Sequence, residues 1–395
     1  MKSKTSNKTQ QLLEVSIEKI VPGGYGLAFA EGLTVFVSLA AGGDKLRVRV
    51  REKKGKIAFA EIVEILEPAP ARQTPPCPYF GRCGGCDFQQ MNYAAQLEAK
   101  VGIVRDSLRR IGKLDYEKEI PIVGSPDDLN YRLRAQWHVD SRRQKLGYFR
   151  RHSHDVIDVE TCPILAPALK EKLSDIRRDI NWQEFWAEKP EIEAATGGAD
   201  VSVYSSEIIE PTDEIFFEAR GEKYYFDAAS FFQGNRFLID DLIRLAIEGA
   251  EGDAAVDLFC GVGLFTLPLA RKFKKVFGVE ANEKAIEFAR KNAERARLSN
   301  IELAAENVGE FLLQSDLPEI DFLLLDPPRA GAEKETISAL LKLQPRRISY
   351  VSCDPSTLAR DLRLLTDAYA IESITALDLF PQTHHVETIV RLNII

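Results

Sequence analysis

No stretch of this 395-residue chain approaches the roughly 20 consecutive apolar residues that a helix needs to cross a bilayer, so no membrane-spanning helix is expected. No apolar core follows the polar first ten residues, MKSKTSNKTQ, which argues against a secretion signal there. The expectation is a frayed tail on a cytoplasmic protein. Low-complexity tracts are absent, and 45% apolar with 28% charged residues is ordinary for a globular chain. Cysteine is scarce, at six residues. Without an export signal a disulfide framework is not expected, which turns attention to metal binding or catalysis. The length calls for two or three domains.

A net charge of −8 lacks the basic excess of a simple polyanion binder, but the charge is unevenly placed. Residues 1–150 hold 25 Lys and Arg against 17 Asp and Glu, while residues 151–395 hold 27 against 43. The basic residues cluster in KLRVRVREKKGKIAF (45–59) and in RLRAQWHVDSRRQKLGYFRR (132–151), the latter interleaved with Trp137, Tyr148 and Phe149. Either cluster alone reads as a solvated strand face. Together, with the aromatics, they point to RNA or single-stranded nucleic acid.

Three of the six cysteines crowd into PPCPYFGRCGGCDFQQ as Cys77, Cys83 and Cys86, a C-x5-C-x2-C spacing. Gly84 and Gly85 let the backbone curl so that two thiolates face one centre. A tetrahedral zinc or a cubane cluster needs a fourth thiolate. Cys162, in DVETCPILAP, is the best candidate. Three unrelated buried cysteines are the blander alternative, and spacing alone leaves zinc and iron–sulfur both open.

From about residue 253 short apolar strands alternate with helical stretches, the pattern of a parallel sheet. AAVDLFCGVGLFTLPLARKF reads as a strand, a turn with Gly261 and Gly263, and a helix; KVFGVEAN is the next strand, closed by Glu280. This fits a dinucleotide or an adenosylmethionine site. The third glycine of G-x-G-x-x-G is missing, and IDFLLLDPPRAG closes a buried strand with Asp326-Pro-Pro, so methyl transfer is favoured over hydride transfer. No aromatic residue follows the two prolines; Arg329 stands there, which disfavours an exocyclic amine as the acceptor.

A ring carbon such as pyrimidine C5 is not nucleophilic unless a thiolate first adds to C6. That chemistry requires a cysteine at the substrate side of the sheet and a base to remove the C5 proton. RRISYVSCDP ends a strand at Cys353, which is read as the nucleophile; Glu387, opening the last apolar run ETIVRLNII, is read as the base. His384 and His385 receive no role.

These motifs resemble, in order and nearly end to end, the RNA uracil-C5 methyltransferases that carry an iron–sulfur cluster, and within them the bacterial 23S rRNA enzymes. GGYGLAFAEGLTVFVSLAAGGDKLRVRV is similar to a TRAM module, and CPYFGRCGGCDFQQ with CPIL to the four-cysteine site of a 4Fe–4S cluster. FFQGN, DLFCGVGLFTLPLA, GVEAN, LLLDPPRAG, YVSCDPSTLARDL and HHVETIVRL follow in register. The resemblance implies a multidomain chain: an OB-like TRAM barrel over residues 9–68, an α+β iron–sulfur and central RNA-binding domain over 69–230, and a Rossmann-like class I methyltransferase domain over 231–395. It implies that residues 93–115 form a helix packing back on the catalytic domain. Cys77, Cys83, Cys86 and Cys162 would hold the cluster. Gln233, Phe259, Gly261, Gly263, Glu280, Asn307 and Asp326 would contact S-adenosylmethionine, with Gln233 and Asp326 also reading the uracil edge and Phe231 packing on the target base. Cys353 and Glu387 would be nucleophile and proton acceptor. Several members carry Asn after the second motif glycine, where this chain has Leu264.

The expected partner is RNA, 23S rRNA before the tRNA T-loop, acted on by a monomer. A non-catalytic RNA-binding module and a zinc protein methylating another substrate are the rivals.

Overall fold

The computed structural model describes residues 11–183, 185, 190–207, 212–314 and 316–395; the expected N-terminal tail lies outside them. β1 (Leu12–Ser16), β2 (Lys19–Val21), β3 (Tyr25–Ala30), β4 (Leu33–Val37), β5 (Lys45–Lys54) and β6 (Ile57–Glu67) form one sheet, in the order β1-β5-β6-β4-β3-β2. Strict alternation turns Leu13, Val15, Leu33, Val35, Val37, Leu46 and Val48 into a common core. Register shifts between β5 and β6 interrupt the ladder, the kind of irregularity that bends a sheet. The outward basic row on β5 is matched by acids: Arg47 pairs with Glu14 and Glu64, Arg51 with Glu61 and Lys45 with Glu67. Within this first basic cluster, Lys45, Arg47 and Arg51 are thus paired with acids of neighbouring strands.

α1 (Tyr93–Ser107) starts at Asn92, whose side chain accepts the Ala95 amide, and runs into a π-helical turn over Leu108–Gly112. α1 and this turn pack against the last helix of the chain, and β7 (Ile122–Val123) joins the edge of the large C-terminal sheet. A second sheet contains β8 (Arg134–Asp140), β9 (Lys145–Phe149), β10 (Val156–Asp158), β11 (Glu191–Thr196) and β12 (Val201–Tyr204), with α2 (Pro167–Asp179) laid on it through Leu169 and Leu173. β13 (Ile215–Ala219) and β14 (Glu222–Phe226) form a hairpin, and α3 (Ile239–Ala246) follows. Tyr224 and Phe226 of the hairpin share a core with Leu242 of α3 and Leu267 of the C-terminal region.

The C-terminal sheet comprises β15 (Gly252–Leu258), β16 (Phe273–Glu280), β17 (Ile301–Ala305), β18 (Phe322–Leu325), β19 (Arg347–Ser352), β20 (Tyr369–Leu377) and β21 (Glu387–Ile394), with β7 completing eight strands. The helices between them are α4 (Thr266–Ala270), α5 (Glu283–Arg295), α6 (Val308–Gln314), α7 (Lys334–Leu343) and α8 (Pro355–Leu365). The order β17-β16-β15-β18-β19-β21-β20-β7 reverses direction between β15 and β18. All four residues of β18 are buried, which is why it reads as an unbroken apolar run. In an open sheet of this kind ligands bind at the carboxyl ends of the strands beside such a switch point.

Candidate active site

Asp326 follows β18 immediately, and its amide donates to the Leu258 carbonyl (3.3 Å) across the switch point. Cys353 follows β19. The next residue, Asp354, caps α8 by accepting the Ser356 and Thr357 amides (2.8 and 3.0 Å), and Pro355 takes the first helical turn, where no amide donor is needed. This cap explains why the strand stops at the cysteine: the thiol is the last group before a sharp entry into a helix. β21 enters antiparallel beside β19 with Ser352 opposite Thr388, which brings Glu387 to the same end of the sheet as Cys353.

The charges there are mutually dependent. Burial first, and then the carboxylates of Glu387 and Asp326, push the Cys353 thiol up to about 12, while the Arg329 guanidinium pulls it the other way. Burial lifts Asp326 to about 7. Burial, followed by the Asp326 charge, holds Glu387 well above the usual carboxylate range, again opposed by Arg329. Glu387 is 3% exposed and its Oε1 has no hydrogen-bond partner. The arrangement is therefore a half-buried thiol, two acids held toward their neutral forms and one guanidinium. Gln233 Nε2 donates to Asp326 Oδ2 (3.4 Å), and Phe231 stands out into solvent at 67% exposure.

On the other side of the switch point, Phe259 adopts φ 64° and Gly261 φ 54°. A Cβ added at Gly261 would meet no protein atom within 4 Å, so the turn leaves open space above its backbone. Gly263 differs: at φ 94° its own Cβ would come 2.9 Å from Leu267, so glycine is needed there for packing of the turn on α4. Glu280 Oε2 accepts the Gly261 amide (3.3 Å) and Oε1 the Asn282 amide (2.8 Å), tying the end of β16 to the glycine turn. Asn307 Oδ1 accepts the Gly309 and Glu310 amides (2.8 and 3.3 Å) and so starts α6, leaving its amide nitrogen for a ligand. An open glycine backbone flanked by an acid and an amide fits the amino-acid and ribose ends of adenosylmethionine.

Leu264 lies in the hydrophobic core, and its carbonyl accepts the Tyr224 hydroxyl (3.2 Å). The apolar side chain at that position serves packing. Two residues escaped the sequence reading. Asp257 is fully buried beneath the glycine turn, accepts the Thr266 hydroxyl (2.5 Å) and is raised to about 8, chiefly by burial. Its signal was an acid inside an apolar strand. Arg329 was noticed only as the absence of an aromatic residue, yet it supplies the positive charge near Cys353 and Glu387.

Cys77, Cys83, Cys86 and Cys162 line one cavity of about 480 Å³, together with Arg132, Tyr148, Arg150 and Arg151. The Gly85 amide donates to Cys83 Sγ (3.4 Å), and Gln89 Oε1 accepts the Cys77 amide (3.1 Å). Burial, and to a lesser degree neighbouring thiols, pushes Cys83 and Cys86 up and Cys162 to about 11. Among the described residues, however, no three His, Cys, Asp or Glu side chains form a group that could hold a metal ion. The expected ligand set thus appears as four thiols on a shared cavity, not as a closed tetrahedral site for a single ion. The donors fit an iron–sulfur cluster in kind, since a cubane binds its cysteines at separate corners and its positive irons would reverse the upward push on the thiols.

Comparison with known proteins gives a consistent result. A family model described as tRNA (Uracil-5-)-methyltransferase matches residues 207–394. An uncharacterized RNA methyltransferase of Aquifex aeolicus is 32% identical, over 97% of this chain and 98% of that protein. A 23S rRNA (uracil(1939)-C(5))-methyltransferase of Alkalilimnicola ehrlichii is 32% identical, over 95% of each chain, and one of Pectobacterium atrosepticum is 30% identical, over 95% and 92%. Among solved structures, the Pyrococcus abyssi tRNA (uracil-54, C5)-methyltransferase in complex with S-adenosyl-L-homocysteine superposes with a TM-score of 0.75 at 26% identity, over 96% of this chain and all of that one.

Proposed function

This chain belongs to the S-adenosylmethionine-dependent RNA (uracil-C5)-methyltransferases, and we propose that it methylates a uridine of 23S rRNA through a covalent adduct at Cys353. The observation that carries the mechanism is the clustering of Cys353, Glu387 and Asp326 with Arg329 at the carboxyl ends of β18 and β19. The two full-length 23S rRNA relatives support the choice of RNA. The likeness to the P. abyssi enzyme favours a second reading, a tRNA uridine.

Adenosylmethionine supplies an electrophilic sulfonium methyl, and Gly261, Gly263, Glu280, Asn307, Phe259, Gln233 and Asp326 are the residues that would hold it. The target uridine leaves its stack, at a cost of a few kcal/mol. Exposed Phe231 offers it a ring, and the Gln233 amide with Asp326 offers it polar contacts. Cys353 Sγ, once deprotonated, bonds to C6 and sends the electron pair of the C5–C6 double bond toward C5, which would take the methyl group as the methyl–sulfonium bond breaks, its electron pair staying on sulfur and S-adenosylhomocysteine leaving. Glu387, as carboxylate, then accepts the C5 proton; the C5–C6 double bond re-forms and the C6–S bond breaks, returning Cys353 as thiolate. Arg329 counters the negative charge of the thiolate and of Glu387.

In the same reading the N-terminal sheet is a TRAM-type RNA-binding module, and Cys77, Cys83, Cys86 and Cys162, which line one cavity, would hold a 4Fe–4S cluster whose part there would be structural. Incubation of anaerobically purified protein with adenosylmethionine and unmodified 23S rRNA or tRNA, followed by nucleoside mass spectrometry, tests the reading. 5-Methyluridine in 23S rRNA alone is expected. Its appearance in tRNA alone moves the substrate, and its absence from both with cofactor bound overturns the assignment.

A further inference from the structure

Glu387 Oε1 makes no hydrogen bond, so nothing at that oxygen anchors the carboxyl group. Its aim depends on the backbone that delivers it, the turn of residues 380–386 between β20 and β21. That turn is tied down from outside the C-terminal sheet. The Gln382 carbonyl accepts both the Asp87 and the Phe88 amides (3.0 Å each). Gln382, at φ 68°, exchanges two further bonds with the Gln96 side chain (3.0 and 3.1 Å) and donates to Asp128 Oδ2 (2.8 Å). The Tyr131 hydroxyl donates to the Pro381 carbonyl (2.9 Å).

One contact pair lies nearest to Glu387. Asp87 Oδ1 accepts the His384 amide (2.8 Å), and Asp87 Oδ2 lies 2.5 Å from His384 Nδ1. The β2–β3 turn closes over this pair: a Cβ at Gly24 would fall 3.0 Å from Asp87 Oδ2 and 3.1 Å from His384 Cβ. Asp87 directly follows Cys86, and both Asp87 and His384 line the four-cysteine cavity. A carboxylate that grips a ring nitrogen and a backbone amide of the same residue fixes that residue in orientation as well as position. Two residues separate this grip from Glu387.

We propose that Asp87 is a positioning residue for the candidate base: through His384 and the Gln382 carbonyl it aims Glu387, and so links the order of the cysteine cavity to release of the methylated product. The inference rests on the covalent mechanism proposed above. Cys353 addition does not use Glu387, so misaiming Glu387 slows adduct breakdown and leaves adduct formation in place.

The test compares full-length, anaerobically purified wild type with Asp87→Ala, Asp87→Asn, His384→Ala and Glu387→Gln. It measures steady-state rates, adenosylmethionine affinity by calorimetry, the fraction of RNA in a denaturation-resistant adduct, and hydrogen exchange over residues 380–386. Misplacement on the scale of an ångström costs up to about 10²-fold in rate. For Asp87→Ala we expect kcat to fall by about 10- to 100-fold. The kcat/KM for RNA and the cofactor affinity should change little, so that KM falls with kcat; adduct should accumulate as with Glu387→Gln, and exchange over the turn should quicken. Asp87→Asn keeps the acceptor for the His384 amide, and His384→Ala keeps every backbone bond, so both should be milder. If Glu387→Gln traps adduct while Asp87→Ala turns over normally, or loses rate without adduct or together with RNA and cofactor affinity, the positioning role is overturned and the mechanism stands. If Glu387→Gln itself traps no adduct, the release step fails and this inference with it.

Discussion

Lys100 on α1 and Asp378 just beyond β20 form an ion pair in which neither side chain is exposed, and Lys100 also donates to the Phe380 carbonyl (3.0 Å). The pair pins a helix from the first third of the chain to the strand end that leads into the 380–386 turn. Burial presses the Lys100 ammonium toward its neutral form and Asp378 opposes this. Removing one partner leaves the other charge buried and alone. Lys100→Met is therefore expected to cost about 3–5 kcal/mol in denaturant unfolding, and Lys100→Met with Asp378→Asn substantially less.

Cys353→Ala should abolish 5-methyluridine formation while leaving cofactor binding intact. Glu387→Gln should lower kcat by about 10²–10⁴-fold, the usual contribution of a positioned base, and should leave an RNA–protein adduct on a denaturing gel. Full turnover by the cysteine variant would remove the covalent mechanism.

Activity should require higher pH than an ordinary carboxylate base would. Glu387 must be ionised to accept the C5 proton, and burial holds it well above the usual carboxylate range, beside Asp326 at about 7. The acid limb that Glu387 gives to kcat, the parameter that contains adduct breakdown, is expected above the ordinary carboxylate range. A limb in the ordinary carboxylate range would contradict this assignment.

Asp257 gives a stability test. Its folded value, about 8, lies above the ordinary aspartate value of 3.8, so between these pH values the folded chain binds more protons than the unfolded one. Stability from this group is then fully present at acid pH and is lost as pH rises through about 8. Asp257→Asn keeps the shape and removes the charge. It should raise Tm by a few degrees at alkaline pH and hardly at all at acid pH, as thermal melts at the two pH values would show.

The two motif glycines should separate. Gly261→Ala adds a methyl group to open space at a cost of roughly 1–2 kcal/mol for left-handed backbone, so its chief effect should be weaker adenosylmethionine binding in calorimetry. Gly263→Ala collides with Leu267 and should lower Tm as well.

Replacing Cys86 or Cys162 by Ser should deplete iron and sulfide from anaerobically purified protein, as read by metal analysis and visible absorption. Zinc in place of iron would contradict the cluster assignment.

The order of elements from residue 253 onward was legible because a parallel sheet writes itself locally: buried strands are apolar runs, and glycines, Asp-Pro-Pro and a capping Asp mark their ends. The strand-end placement of Cys353 and Glu387 was legible for the same reason. In the basic stretch 45–59, periodicity alone did not show that Lys45, Arg47 and Arg51 meet glutamates on neighbouring strands. Leu264, which stands where several family members carry Asn, is a core residue, which no local pattern had marked.

Sequence by itself determined the chemistry on offer: which thiols, acids and glycines stand at strand ends, because that depends on residues a few positions apart. Tertiary structure alone decided how these groups are aimed and charged. The grip of Asp87 on His384, the burial of Lys100 against Asp378 and the upward shifts of Asp326 and Glu387 depend on segments distant along the chain and on exclusion of water, neither of which any local pattern records.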